Sequence, residues 1–581
     1  MWSLLLGLVL YVGTTLYLSI KHNIRTTCRQ MFVFHPWADA GGGGEKCLWL
    51  LIKAYAERGS ADMQSSVTYQ ASAGRLRYKK PLRVTLFCHV STPHVQDLLN
   101  QVDRTFGIQI PTYVSSDSIH QHSRNTTRLS EFVSLRLVRL YTASLAVKKY
   151  PVATQLLQLA AGFLVGFEAS LRTRGNRYDA IWDTAGLPTS VAWFNWLTTF
   201  MRRRCYAYIH YPFLSRDVIY HSKASFGRRL YSYIIDRAYY LSGGCFRQPI
   251  IVNSTYTEQR LKQLWPSRRL TKVYPPIDLG EDPVGFTDAV LRNTTLKDPG
   301  LTTGETGDDA ALIREMPFRR DAALTDKDNI VLSIAQFRPE KKHMHQIDII
   351  KSLLERAKIP AHTRFLICGT CRPNSRADQE LLTKLLTYAE CLLAPLDGRV
   401  ELQCHLKPDN IKWAPSHHIK APKAVIEVHV NMATRPLRQL MTKAKVGLHT
   451  MVDEHLGISV AEMALTGCYV VAHNSGGPRD DILRGIYRDE LDLITSAMVP
   501  SADDLEEVKR KSQTSFSGSL GCLCNKQSEF VDGVEKGLLD NDNTKLVQQV
   551  VPIIIRSRFP TDNSYGEEVL NAWNLYTQKI T

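Results

Sequence analysis

Nine short apolar runs punctuate this 581-residue chain, each closing on turn residues, and they constrain its fold more than any other feature. Four lie in the first half, at 31–34, 83–88, 179–182 and 206–209. Five lie in the second, at 329–335, 365–369, 425–430, 446–450 and 469–473. Their length and apolar content predict strands, and helix-like stretches such as 46–57 stand between them. Strands alternating with helices imply βαβ units and a parallel sheet. Between 279 and 310 the pattern stops, with seven acidic residues against two basic ones among Gly, Thr and Pro. That is the composition of a linker or insertion. The reading is therefore an α/β lobe over 31–278, an insertion over 279–326, a second α/β lobe over 327–555 and a tail over 556–581. No repeat of short period is visible.

Residues 2–20 form an uncharged, mostly apolar run, long enough to cross a hydrocarbon core as a helix. Residues 1–21 are accordingly read as a transmembrane anchor. Lys21, Arg25 and Arg29 follow the run and nothing basic precedes it, which puts the downstream bulk on the cytosolic side. A cleaved signal peptide is the rival reading, but the basic n-region and the small-x-small cleavage site are missing. On the cytosolic side the sequons at Asn125, Asn253 and Asn293 are chance occurrences, and the cysteines stay reduced. Cys368 with Cys371, and Cys522 with Cys524, lack the four-ligand spacing of a zinc module. The formal net charge of +16 suits an anionic partner, whether nucleic acid, a membrane face or phosphate groups. No nucleic-acid motif accompanies it.

Three segments carry chemistry. Gly41 to Gly44 sit between a strand and a helix, where glycines let backbone N–H groups approach an oxyanion; a flexible turn is the plain alternative. Gln336, Arg338, Lys341 and Lys342 follow a strand directly, at the end of an open sheet where ligands bind. Arginine offers a fork to phosphate oxygens and lysine a compact charge; a solvated charge cluster is the alternative. The third segment, 453–467, is the most specific. Glu454 and Glu462 stand eight apart, with a helix expected from Gly457 to a cap at Gly467. A helix N-terminus between two carboxylates can receive a diphosphate and leave the carboxylates for sugar hydroxyls. Residues 474–478 (Asn-Ser-Gly-Gly-Pro) make a second turn after the next strand.

Taken together, the two spaced glutamates, the basic strand-end loop and the Gly-rich loop resemble the retaining family-4 glycosyltransferases of GT-B fold. Longer strings bring the resemblance closer, to the α-1,2-mannosyltransferases of dolichol-linked oligosaccharide assembly. They are the segments at 35–45, 208–212, 252–254, 273–276, 335–341, 447–450 and 472–478. The resemblance spans about 31–485 and includes the anchor. It implies an α/β fold of two Rossmann-like lobes, acceptor-binding first and GDP-mannose-binding second, with the tail packing back on the first. It also implies a reaction: mannose passes from GDP-mannose, with retention, onto dolichyl-diphosphate-linked Man3GlcNAc2, adding the fourth and fifth mannoses on the cytosolic face of the endoplasmic reticulum. Other cytosolic-face mannosyltransferases of that pathway are implied partners; no cofactor or metal is implied.

By the same resemblance Glu462 holds the ribose of GDP. Glu454 and the backbone of Leu456, Gly457 and Ile458 address the mannose and the β-phosphate. Lys341 neutralises the departing diphosphate, assisted by Arg338, and the family's usual arginine is replaced here by Gln336. His210 lies near the transferred sugar, and Gly42, Gly43 and Gly44 approach phosphate or acceptor. Asp183, ending a strand, is a further acceptor contact. The rivals are another membrane-bound family-4 transferase and a catalytically silent scaffold paralogue. Outside these segments, 156–171 reads as a core helix with membrane docking as the alternative. Residues 226–240 suit an interfacial element or a packed helix. Asp540 and Asp542 read as solvated surface.

Overall fold

The structure, a computed structural model, describes residues 29–39, 41–72, 82–89, 94–112, 126–130, 133–146, 154–173, 178–199, 204–210, 226–247, 249–277, 279, 327–372, 375–396, 400–405, 424–487, 489–490, 510 and 518–573. They form two compact units, one reaching to Pro276 and resuming at Pro560, the other spanning Ile277–Phe559. Among the described residues no helix is long and apolar enough to cross a membrane. The apolar run at 2–20, the sequons at Asn125 and Asn293, and all of 279–326 except Leu279 lie outside the described residues.

The first unit runs β1 (Arg29–Phe34), α1 (Gly43–Ser72), β2 (Leu82–Cys88), α2 (Val95–Phe106), β3 (Thr126–Arg128), β4 (Val133–Arg139), α3 (Thr154–Arg172), β5 (Ala180–Asp183), α4 (Pro188–Thr199), β6 (Arg204–Ile209), α5 (Phe226–Gly243), β7 (Ile250–Val252), α6 (Thr255–Leu264) and β8 (Leu270–Lys272). Its eight strands lie in the order β3-β4-β2-β1-β5-β6-β7-β8, parallel except for β3 against β4. β1 sits near the centre, with Met31 level with Val84 on one side and Ala180 on the other. Period two sends Met31 and Val33 into one apolar layer with Trp49. Phe32 and Phe34 go into the opposite layer, where they pack with Phe87 and Phe194. Burial on both faces is why β1 reads as an unbroken apolar run, and each such phenylalanine stabilises the fold by roughly 2–3 kcal/mol.

The second unit runs β9 (Asp328–Ile334), α7 (His343–Arg356), β10 (Thr363–Gly369), α8 (Arg376–Leu393), β11 (Val400–His405), β12 (Ala424–Val430), α9 (Thr434–Lys443), β13 (Ala444–His449), α10 (Ile458–Leu465), β14 (Tyr469–His473), β15 (Cys522–Cys524), α11 (Gln527–Leu539) and α12 (Asn541–Arg558). Its seven strands, all parallel, lie in the order β11-β12-β10-β9-β13-β14-β15. Asp540 is a helix cap rather than plain surface, its side chain accepting from Asn543 N at 3.0 Å.

The chain then returns to the first unit as α13 (Asp562–Ala572), which packs on α1. Gly566 allows the approach, since a Cβ there would meet the Leu50 carbonyl oxygen at 2.9 Å. Lys46 pairs with Asp562 at 2.6 Å, and the Trp573 ring lies 5.6 Å from that of Trp182.

Both sheets wind outward from a central strand to one edge and then cross back. The reversal falls between β1 and β5 in one unit and between β9 and β13 in the other. At such a point neighbouring strands send their loops apart, and the carboxyl ends flank a crevice suited to a ligand.

Candidate active site

In the first unit, β1 delivers the glycine loop to the switch point. Gly41 has φ +74°, a left-handed conformation that favours glycine. Glu45, in the first turn of α1, accepts from Gly42 N at 2.7 Å and so folds the loop onto its own helix. Burial alone would raise its carboxyl, but the His35 hydrogen bond and the Gly42 N–H outweigh that and hold it below its ordinary value. The His35 ring bridges outward from this loop: Nε2 lies 3.4 Å from Glu45 and Nδ1 2.9 Å from Thr184 Oγ1.

Two predicted residues arrive from the neighbouring strands. Asp183 ends β5 fully buried, and its Oδ1 accepts from the N–H groups of Ala185, Gly186 and Leu187 at 2.9–3.2 Å. This ties down the strand-to-helix turn, while Oδ2 has no hydrogen-bond partner among the described residues. Burial pushes Asp183 up to about 6 in spite of those three N–H groups. His210 follows β6, its ring 4.6 Å from that of Tyr208. A Cβ on Gly44 would come within 3.6 Å of the His210 ring, so the glycine lets loop and imidazole approach. Burial, helped by the charge of His35, pushes His210 down to about 3, which keeps it neutral at physiological pH. Its Nε2 is buried without a partner among the described residues.

In the second unit, the loops after β9 and β13 meet. Pro339–Lys341 form a single 3-10 turn behind Gln336 and Arg338, and the turn closes on Lys342 at φ 53°. Lys341 forms an ion pair with Glu454, which is 8% exposed. His449, the last residue of β13, places Nε2 3.1 Å from the same carboxylate oxygen, Oε2. A carboxylate can only accept, so His449 presents N–H there. Thr450 Oγ1 donates to the Lys341 carbonyl at 3.1 Å and receives Gln346 Nε2 at 3.1 Å, locking the two loops together. Burial would raise Glu454, but the His449 hydrogen bond and the Lys341 charge hold it far below the usual carboxylate range. Glu454 is therefore a fixed anion. His343 behind it is driven down to about 4 by burial and by Lys341.

The chain then turns into α10. Gly457, at φ 91°, is its N-cap; Leu456 is buried, which leaves only its backbone for a ligand. The free N–H groups and the dipole at this helix end favour an anion. Glu462 is half-buried in the second turn of α10. The 474–478 turn supports the loop from behind: Gly477 N donates to the Glu454 carbonyl at 2.8 Å, and Ser475 Oγ accepts from Asp453 N at 2.7 Å.

The structure thus brings His210, Gly42–Gly44 and Asp183 together in the first unit, and Lys341, Glu454 and the start of α10 in the second. Sequence reasoning missed His35, Glu45 and Thr184, and also His449. The signal for His449 was present, since it ends a strand of the same sheet that delivers Lys341.

One further group gathers donor atoms that could hold a metal. His405, Glu427 and His429, on β11 and β12, have theirs within 4.8 Å of one another. Arg364 already bonds Glu427 Oε1 at 2.7 Å, and the two rings stack at 4.5 Å. Stacked rings aim their lone pairs side by side rather than at one point, so this group is read as an ion-pair network at the far end of the strand order.

Two parallel sheets, each with its chemistry-bearing loops at the switch point, define a GT-B-like α/β fold. Solved structures agree on that fold: an α,α-trehalose 6-phosphate synthase from Burkholderia multivorans superposes with a TM-score of 0.50 at 10% identity, covering 95% of this chain and 99% of its own. A second trehalose-6-phosphate synthase gives 0.51 at 10% identity, covering 94% and 99%. The sequence has relatives of its own. Residues 29–265 match the family described as ALG11 mannosyltransferase N-terminus. Relatives named GDP-Man:Man(3)GlcNAc(2)-PP-Dol alpha-1,2-mannosyltransferase are 24% identical in Dictyostelium discoideum, over 82% of this chain and 76% of theirs. The Homo sapiens relative of that name is 25% identical over 85% and 83%, and that of Mus musculus 25% over 78% and 73%.

Proposed function

We infer that this chain is an α-1,2-mannosyltransferase that takes mannose from GDP-mannose and places it on Man3GlcNAc2 carried by diphosphodolichol. The observation that carries this reading is the Lys341–Glu454–His449 cluster at the start of α10, within a chain homologous to enzymes of that name. The donor diphosphate is assigned to the N–H groups at the start of α10 and to the charges of Lys341 and Arg338. Glu462 is assigned to the ribose, with Gln336 beside the phosphates. As the C1–O bond to the β-phosphate breaks, negative charge grows on the leaving oxygen. Fixed cations and helix N–H groups stabilise that charge without reorganising. The acceptor 2-hydroxyl attacks C1 from the same face and passes its proton to the departing phosphate oxygen, which gives retention. His210, neutral and held against Gly44, is assigned to the hydroxyls of the mannosyl ring; Gly42, Gly43 and Asp183 shape the acceptor side.

On this reading two successive additions supply the fourth and fifth mannoses. The apolar run at 2–20 holds the chain in the endoplasmic reticulum membrane with both units cytosolic, alongside other mannosyltransferases of the same pathway. No metal takes part.

The test offers purified full-length protein radiolabelled GDP-mannose and the dolichol-linked trimannosyl acceptor. Labelled product with one and then two added mannoses is expected, unchanged by EDTA. Absence of transfer, or equal use of UDP-sugars, defeats the assignment, and inhibition by EDTA defeats its metal-free form. Glu462→Ala is expected to weaken GDP-mannose binding about 10–100-fold, as loss of a charge-assisted hydrogen bond costs about 1.5–3 kcal/mol. Calorimetric titration with GDP-mannose measures it, and an unaltered Kd would show that the ribose lies elsewhere.

A further inference from the structure

Two thiols that the reaction leaves unused, Cys522 and Cys524, sit together on β15. Two residues apart on a strand, they point to the same face of the sheet, and their Sγ atoms stand 3.5 Å apart. That face lies against α11, where Gly533 makes the room: a Cβ there would meet Cys522 Sγ at 2.7 Å. Cys524 is fully buried, whereas Cys522 is half-buried on a strand at the edge of the sheet. Burial therefore divides the roles, since a negative charge settles on the sulfur nearer water and the buried thiol donates to it. The Cys524 hydrogen bond and the charge of Lys536 on α11 hold Cys522 below its ordinary value, against its burial and the charge of Glu529. Cys524, keeping the shared proton, is raised. Cys47, Cys245 and Cys368 show the contrast, each driven up by burial and inert as a thiol.

The end of this strand is tied to the Glu454 loop. The Cys524 carbonyl accepts from Asn474 N at 2.8 Å, at the start of the 474–478 turn. The same turn holds the loop after β13, with Ser475 Oγ accepting from Asp453 N and Gly477 N donating to the Glu454 carbonyl. A change in the length of β15 thus reaches the Glu454 backbone through two hydrogen-bonded steps.

We propose that Cys522 and Cys524 are a redox-modification site, at which a hydroperoxide joins them as a disulfide and the new bond loosens the Glu454 loop. The Cys522 thiolate attacks the terminal oxygen of the hydroperoxide. The O–O bond breaks, the alkoxide leaves and takes a proton from water, and Cys522 carries the hydroxyl as a sulfenic acid. Cys524 sulfur then attacks Cys522 sulfur, the S–O bond breaks, and hydroxide leaves with the Cys524 proton as water. Two electrons pass from the dithiol to the peroxide, and an external dithiol reverses the bond. The sulfurs close by about 1.5 Å to reach bonding distance. Cα atoms two apart on a strand stand about 6.4–6.8 Å apart, at the upper limit of what a disulfide spans. So β15 shortens as the bond forms, and the Cys524 carbonyl moves relative to Asn474. The effect on donor binding rests on the function assigned above; the disulfide itself does not.

The experiment treats the full-length protein with hydrogen peroxide, blocks the remaining thiols with iodoacetamide and maps tryptic peptides by mass. The peptide 512–526 holds Cys522 and Cys524 and no other cysteine. It is expected to be about 2 Da lighter and unalkylated before the exposed Cys391 reacts. Cys524→Ser should stop at the sulfenic acid, which dimedone traps on Cys522, and Cys522→Ser should give neither product. Calorimetry should find GDP-mannose bound about 5–100-fold more weakly by the oxidised wild type. Dithiothreitol should restore the affinity, and peroxide should leave that of Cys522→Ser unchanged. A 512–526 peptide that stays fully alkylated while Cys391 oxidises overturns the proposal, and a disulfide that leaves the Kd unmoved overturns its reach to the Glu454 loop. Failure of the reduced wild type to bind GDP-mannose would defeat the enzyme assignment alone, and the peptide masses would still decide the disulfide.

Discussion

Lys341→Ala lowers the rate of mannosyl transfer about 10²–10³-fold while GDP-mannose affinity changes far less, the expected result of removing a charge that matters most as the leaving group develops. The pairing with Glu454 adds a second, separable effect. Glu454 is buried and held far below its ordinary value by His449 and Lys341, against the pull of its burial. Without the lysine, the buried carboxylate keeps only His449 among the described residues, and breaking such a pair costs about 3–5 kcal/mol. The melting temperature should fall accordingly.

The sign with pH follows from the depressed carboxyl. In the wild type the stabilisation by Glu454 is present above its unfolded pKa and is lost only as pH falls through a folded value far below that. In Lys341→Ala the folded value rises, so acid destabilisation sets in at milder pH. Lys341→Met/Glu454→Gln, which removes both charges, should regain much of the melting temperature and none of the rate. A single variant that transfers mannose at the wild-type rate would show that the diphosphate is neutralised elsewhere.

The parallel architecture was legible because strands buried on both faces leave unbroken apolar runs, as β1, β9 and β14 do. The edge strands were not. β3, β8 and β15 are three residues each and carry polar side chains such as Thr126 and Lys272. A short strand at an edge has too little buried surface to bias its composition. The return of the C-terminus as α13 came from family resemblance, because docking of a mixed-polarity helix depends on the surface it meets. The sequon at Asn253 is closed off by the fold: the residue is buried at the start of α6, next to the capping Ser254, and the folded chain has no room for a glycan there.

The candidate site was legible residue by residue but not in its pairings. Lys341 and Glu454 stand out in sequence as a strand-end cation and a loop carboxylate, assigned to separate parts of the donor. That they bind each other follows only from β9 and β13 being neighbours, a fact of strand order invisible to local pattern. Asp183 shows the same limit. Its position at a strand end suggested a ligand contact, yet Oδ1 spends its lone pairs on the turn beneath it.

Gly476→Ala is expected to abolish donor binding, although the residue bears no functional group. Gly476 has φ 58°, a conformation that costs alanine about 1–2 kcal/mol. Its missing Cβ would overlap the carbonyl oxygen of Glu454 and reach 3.0 Å from Glu454 N and C. Those are backbone atoms, so no rotamer change relieves the clash and the 453–457 loop itself must move. That loop fixes the Glu454 side chain against Lys341 and His449 and sets Gly457 as the cap of α10, so the shift disturbs carboxylate and helix end together. Overpacking of this kind adds a destabilisation of about 1–3 kcal/mol. The paired control is Gly518→Ala, where an added Cβ meets nothing within 4 Å among the described residues and stability should stay within about 0.5 kcal/mol. Circular dichroism should show both variants folded, a lower melting temperature for Gly476→Ala alone, and calorimetry should find GDP-mannose binding only in the control. Undiminished binding in Gly476→Ala would mean that the loop after β13 holds its place without the turn after β14, and that the donor does not depend on its register.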